Sequence, residues 1–282
     1  MPRACHMTMK WLTSILGCAL CLVPTMSAAQ LAPPNDAGIT MGHVHLNVRD
    51  VAASKSFWLA LGGTSTNVGQ IEGVKFPGVL ILLRQADVSG GSAGSIVDHV
   101  GFLVKDGPAS VATFGSLGTR MELNASGRGG FFYTPDGLRL EMPERPTLTM
   151  PIVFDQIHFF VPDPAPGGKT MADMEAWYAQ VFGAQPGQPG GNPATLYEAK
   201  ILPGVNLRYS KTPTPVGATR GRALDHIGFE VRNLEAFCRR LEAAGIQFDM
   251  PYTKPPDAGI AVAFLTDPWG TYIELTEGLS AF

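Results

Sequence analysis

Gly42-His43-Val44-His45-Leu46-Asn47-Val48-Arg49-Asp50 decides the fold, because the chain writes this stretch four times. It returns as Asp98-His99-Val100-Gly101-Phe102-Leu103-Val104-Lys105-Asp106 and as Asp155-Gln156-Ile157-His158-Phe159-Phe160-Val161-Pro162-Asp163. The last copy is Asp225-His226-Ile227-Gly228-Phe229-Glu230-Val231-Arg232-Asn233. Each sets a polar residue (His43, His99, Gln156, His226), then Val five positions on, then Asp or Asn seven on. Self-similarity at long spacing marks a repeated supersecondary unit. Alternation makes each copy a strand, with His43, His45 and Asn47 on one face and Val44, Leu46 and Val48 on the other.

Working outward, a helical run follows three of the copies: 51–61 with Phe57-Trp58, 171–182 with Trp177-Tyr178, and 234–244. Each stops at a glycine (Gly62, Gly183, Gly245), the usual helix terminator. The second copy offers a shorter helix, 110–117, ending at Gly118. Strands follow at 79–83 and 205–209, after the turns Pro77-Gly78 and Pro203-Gly204. Two closing hairpins run 131–142 and 261–275, turning at Pro135-Asp136-Gly137 and Asp267-Pro268-Trp269-Gly270. The unit is therefore strand, helix, then about three strands. Taken in chain order, the units form a domain over 42–143, a proline-rich linker over 144–151 and a domain over 152–278, behind an extension over 30–41. The Gly/Pro-rich stretches 164–169 and 183–193 read as loops inserted in the third unit.

Composition narrows the function classes. A formal net charge of -3 with 16% charged residues gives no reason to expect a nucleic-acid partner. Residues 1–29 read as a cleaved export signal: Lys10, an apolar run over 11–23, then Ser27-Ala28-Ala29 at the cleavage position. The run is short for a membrane span, so the mature chain is expected in the periplasm or medium, free of the membrane. Cys5, Cys18 and Cys21 fall in that segment, and the mature chain keeps only Cys238, which excludes an internal disulfide. A monomer or a homodimer is compatible with four units in one chain.

These residues resemble the vicinal oxygen chelate superfamily, which includes glyoxalase I, extradiol dioxygenases and the bleomycin and fosfomycin resistance proteins. The resemblance rests on the four opening strands, the Phe57-Trp58 and Trp177-Tyr178 helices, and two hairpins that put Glu141 and Glu274 four residues after Gly137 and Gly270. It implies an α+β fold of four βαβββ modules paired into two glyoxalase/dioxygenase-like domains. It also implies a divalent ion (Fe2+, Mn2+, Zn2+ or Ni2+) held by the first polar residue of each opening strand and by the closing Glu. With units paired in chain order, the ligand sets are His43, His99 and Glu141, and Gln156, His226 and Glu274. Two His and one carboxylate leave open positions for substrate oxygens, whereas Gln is the weaker ligand. The strands 79–83 and 205–209 carry no carboxylate to serve as the fourth ligand found in some relatives. The Tyr and His that extradiol enzymes place before the closing turn are also missing: Phe131 and Phe264 stand near the Tyr position.

His45 and His158 lie two residues past the ligand positions on the same strand face, where they are candidates for acid–base work or quiet packing. The leading reading is an exported metal-dependent lyase, isomerase or dioxygenase acting on a small oxygen-bearing substrate. Glutathione-dependent chemistry is disfavoured for an exported protein. The alternative is a metal-free sequestering protein of the bleomycin-resistance type. In either case His99 and His226 have a structural reading too, as strand-end residues bonded to Asp98 and Asp225.

Overall fold

A computed structural model describes Met1 and residues 31–191, 196–256 and 259–282. The expected export signal, with Cys5, Cys18 and Cys21, lies outside the described residues. No helix among the described residues is long and apolar enough to cross a membrane.

All four units adopt the expected order. The first is β1 (Ile39–Val48), α1 (Val51–Ala60), β2 (Thr64–Val68), β3 (Ile71–Phe76) and β4 (Val79–Gln85). The second is β5 (Val97–Val104), α2 (Gly107–Ser116), β6 (Met121–Leu123), β7 (Gly130–Tyr133) and β8 (Arg139–Glu141). The third is β9 (Ile152–Pro162), α3 (Met171–Phe182), β10 (Gln185–Pro186), β11 (Glu198–Leu202) and β12 (Val205–Thr212). The fourth is β13 (Leu224–Val231), α4 (Leu234–Ala243), β14 (Met250–Thr253), β15 (Ala261–Thr266) and β16 (Tyr272–Glu277).

The last residue of the repeated stretch now has a physical role. Asp50, Asp106 and Asn233 are helix N-caps, accepting from the backbone N–H of Ala53, Ala109 and Ala236. In the third unit the inserted loop separates Asp163 from the helix, and Thr170 caps α3 in a reciprocal box with Asp173. The helix α2 begins earlier than its apolar pattern suggests. Gly107-Pro108 looks like a breaker in sequence, but proline fits the first turn, where its missing N–H has no partner to lose.

Unit pairing departs from chain order. One sheet runs β14-β15-β16-β13-β1-β4-β3-β2 and so joins the first unit to the fourth. The other runs β10-β11-β12-β9-β5-β8-β7-β6 and joins the second to the third. The seams are antiparallel pairs of opening strands, β1 with β13 (His45 opposite His226) and β5 with β9 (His99 opposite His158). The segments 42–143 and 152–278 therefore do not each close a sheet of their own. Chain neighbours instead meet through their apolar backs: Trp58 packs on Phe102 at 6.0 Å, Phe57 on Phe114 at 5.7 Å and Phe182 on Phe229 at 4.9 Å between ring centroids. The Tyr178 hydroxyl adds a 2.9 Å hydrogen bond to Asp267.

One apolar core gathers Val44, Leu46 and Val48 with all four helices and the inner faces of both sheets. Trp58 is fully buried in it, and Cys238 is buried and free. Trp58→Ala is expected to lower the unfolding free energy by about 3–5 kcal/mol, read as a shifted urea midpoint at unchanged slope. The opposite, outer face of each sheet carries the candidate site residues.

Candidate metal centre

The first sheet brings His43 from β1, His226 from β13 and Glu274 from β16 to one point. Glu274 Oε2 lies 2.9 Å from His43 Nε2 and 2.9 Å from His226 Nε2. His226 Nδ1 lies 2.7 Å from Asp225 Oδ1, so its ring is fixed from behind by a carboxylate. The register explains the convergence: His43 faces Gly228 across the antiparallel seam, and Gly228 pairs with Glu274 on the parallel side. A Cβ on Gly228 would stand 2.0 Å from His43 Cε1. The Asp-His-x-Gly pattern thus combines a candidate ligand, its orienting acid and the space for the facing His43 ring. Gly228→Ala should push the His43 ring out of place and weaken metal retention while leaving the far-ultraviolet dichroism native, a combination that dialysis followed by elemental analysis would read.

Burial sets the charges here. His43, His45, His226 and Glu274 are each less than one tenth exposed. Burial alone would raise the Glu274 carboxyl, but His43 and His226 overcome it and hold it well below the usual carboxylate range. Asp225 is depressed in the same way: burial opposes, and the hydrogen bond from His226 prevails. Burial pulls the His226 imidazole down, yet its bonds to Asp225 and Glu274 raise it. His45 has no such support. Burial, then the charges of His226 and His43, push it well below its ordinary value, and neither ring nitrogen has a partner among the described residues. Its ring centroid is 4.5 Å from that of His226 and 6.2 Å from that of His43.

The second sheet groups His99 from β5, Glu141 from β8 and Gln156 from β9. His99 Nε2 is 3.5 Å from Glu141 Oε2, and His99 Nδ1 is 2.8 Å from Asp98 Oδ1. Gly101 clears room for Gln156 as Gly228 does for His43, since a Cβ there would lie 2.5 Å from Gln156 Cγ. The Gln156 amide nitrogen donates to Glu141. Burial opposes ionisation of Glu141, but the hydrogen bond from His99 brings its pKa to about 2. His158 bonds Ser210 Oγ at 2.9 Å, and burial, with the charge of His99, lowers its pKa to about 3.

All the sequence-derived candidates therefore lie on outer sheet faces, but in a different grouping. His43 is joined by His226 and Glu274, while His99 and Glu141 are joined by Gln156. The opening strands provide a ligand from either partner, so the residue types alone fit both pairings.

The neighbours distinguish the two sets. Leu82 stands opposite His45 on β4, at the position where a further carboxylate is absent, and Arg208 stands opposite His158 on β12. Arg208 Nη1 is 3.8 Å from Glu141 Oε2, so a fixed cation already attends that carboxylate. The donor set His43, His226 and Glu274 fits a divalent ion: two imidazole nitrogens and one carboxylate converge, with Asp225 behind one of them. The set His99, Gln156 and Glu141 fits one poorly, because the amide and Arg208 occupy the carboxylate.

Sequence reading passed over Arg84 and Arg208, and met Phe131 and Phe264 only as the occupants of a missing tyrosine's position. The Tyr272 ring lies 5.5 Å from that of His226 and stacks at 5.2 Å on Phe264. Phe131 holds the matching place 5.1 Å from His99. Strand register, which places these side chains beside the ligands, was the missing signal.

Comparison with known proteins agrees with this architecture. The sequence profile of the Glyoxalase/Bleomycin resistance protein/Dioxygenase superfamily matches residues 167–275. Glyoxalase I from Zea mays superposes with a TM-score of 0.67 at 15% identity, over 86% of this chain and 94% of that one. A protein from Bacillus subtilis, described as a "putative dioxygenase", superposes with a TM-score of 0.59 at 14% identity, over 89% of this chain and 86% of that one. Comparison with the curated proteins gives no match. The profile match falls within the third and fourth units of the four-unit fold, so residues 167–275 carry the sequence pattern of the glyoxalase/bleomycin resistance protein/dioxygenase superfamily.

Proposed function

We propose that this chain is a divalent-metal-dependent enzyme acting on a small substrate through vicinal oxygens, with its working site on the first sheet. One observation carries the reading: both imidazole Nε2 atoms meet the same Glu274 oxygen, each at 2.9 Å, in a nearly solvent-free setting. His43, His226 and Glu274 would hold the ion. When bound, the ion supplies Lewis-acid polarisation of the substrate oxygens.

The chain's own residues do the rest. Asp225 fixes the His226 ring so that Nε2 keeps its aim. His45, a neutral imidazole with free ring nitrogens, is placed to accept a proton from substrate carbon or oxygen and return it. Leu80, Leu82, Val262 and Phe264 form an apolar wall on the same face and keep bulk water from the reacting atoms. The second sheet, with Gln156 bonded to Glu141 and Arg208 beside it, is better suited to holding a ligand without a metal. Export to the periplasm or medium belongs to this proposal as well, on the strength of residues 1–29. Elemental analysis of the purified chain beside a His226→Ala variant tests the reading. A wild-type chain that takes up no Fe(II), Mn(II), Zn(II) or Ni(II) overturns it.

A further inference from the structure

We infer that the substrate of the first site carries a carboxylate, anchored by Arg84, at the far end of an apolar body whose vicinal oxygens face His43, His226 and Glu274. This rests on the metal-enzyme reading and adds the charge and shape of the substrate to it.

Strand register supplies the geometry. β4 runs parallel beside β1, with Leu80 opposite His43, Leu82 opposite His45 and Arg84 opposite Asn47. Successive outward side chains of this strand are thus two leucines and then a guanidinium, each step spanning about 7 Å. Leu82, which belongs to one apolar cluster with Leu80 and Phe264, stands between the level of His43 and Glu274 and that of Arg84, so the step to the guanidinium is apolar. The matching strand of the second sheet presents Asn206, Arg208 and Ser210 instead, and offers no such step.

Arg84 is held for recognition. Its Nε and Nη2 donate to Asn47 Oδ1 at 3.0 and 2.7 Å, and Nη2 lies 3.3 Å from Asp225 Oδ2. Its Nη1 has no hydrogen-bond partner among the described residues, and half of the side chain (52%) is exposed. One edge of the planar fork is therefore clamped while Nη1 is left without a partner among the described residues, which suits a carboxylate. The charge count agrees. Asp225 and Glu274 against Arg84 and a divalent ion leave one positive charge. At the rim, Arg220, stacked 4.5 Å over Tyr272, is offset by Asp249, which bonds Thr266. A singly charged acid neutralises that site.

The test uses the full chain loaded with Co(II), whose visible absorption reports ligands entering the site. Two probes differ only at the far end: 3,4-dihydroxybenzoate and 4-methylcatechol. The acid is expected to bind about tenfold tighter, the effect of one charge-assisted contact. In Arg84→Gln at normal cobalt content that ratio should fall to within about twofold, while Arg49→Gln, a surface cation 62% exposed, keeps it. No preference in the wild type, a preference surviving in Arg84→Gln, or no spectral response to either catechol overturns the inference. Loss of cobalt in Arg84→Gln also overturns it, because Arg84 would then act through Asp225 on His226. A wild-type chain that takes no cobalt fails at the earlier step and counts against the metal reading itself.

Discussion

His226→Ala is expected to strip the chain of its metal, while His99→Ala leaves it in place. The contrast follows from geometry. His226 supplies one of the two nitrogens 2.9 Å from Glu274 Oε2 and is the imidazole that Asp225 fixes from behind, so its removal breaks the convergent, oriented pair on which tight divalent binding depends. His99 lies on the other sheet, beside a carboxylate that Gln156 and Arg208 already engage. Asp225→Asn should sit between these extremes, weakening metal affinity roughly 10–100-fold, because the His226 ring loses its orienting acid. Elemental analysis after dialysis against a graded chelator would rank all three. Retention in His226→Ala together with loss in His99→Ala would move the centre to the second sheet.

Metal-free protein is expected to lose about 3 kcal/mol of stability between pH 6.5 and pH 4 on account of His158 alone. Its folded pKa of about 3 lies below the ordinary imidazole value of about 6.5, since burial penalises the charged ring. The unfolded chain therefore binds the proton first. Stability from this group is fully present above pH 6.5 and drains as pH falls toward 3. His45 is displaced in the same direction and adds to the loss. His226, raised by its two carboxylates, works the other way, but its contribution is complete below its unfolded pKa and does not offset the loss in this window. Urea titrations in the presence of chelator at several pH values would read the slope. His158→Gln should flatten it, and an unchanged slope in that variant would assign the acid sensitivity elsewhere.

Much of this was legible in the chain. Four copies of one strand, each followed by a helix and closing strands, led to the α+β fold, and alternation placed His43, His45 and Asn47 on one face. Which units pair was not legible. Every opening strand has the same apolar back and a free edge, so hydrophobic pattern fits either arrangement. The choice is made by the backs of the units, where Trp58 reaches Phe102 and Phe182 reaches Phe229, and such contacts leave no periodic trace in sequence. The same limit hid Arg84: its meaning depends on standing beside Asn47 of β1 and Asp225 of β13, neither of which is near it in the chain.

The nested pairing also sets an order of events during synthesis. His43 and Glu274 are 231 positions apart, so the earliest ligand to leave the ribosome waits for nearly the last strand before the first site exists. The second site closes earlier, since His99 and Gln156 are separated by 57 positions. A chain stalled after β12 would already own the inner sheet pairing, with β1 left bearing an unmatched edge. If the first site holds metal as proposed, capture would wait on β16, and a chain lacking that strand would have no first site with which to withdraw metal from its surroundings.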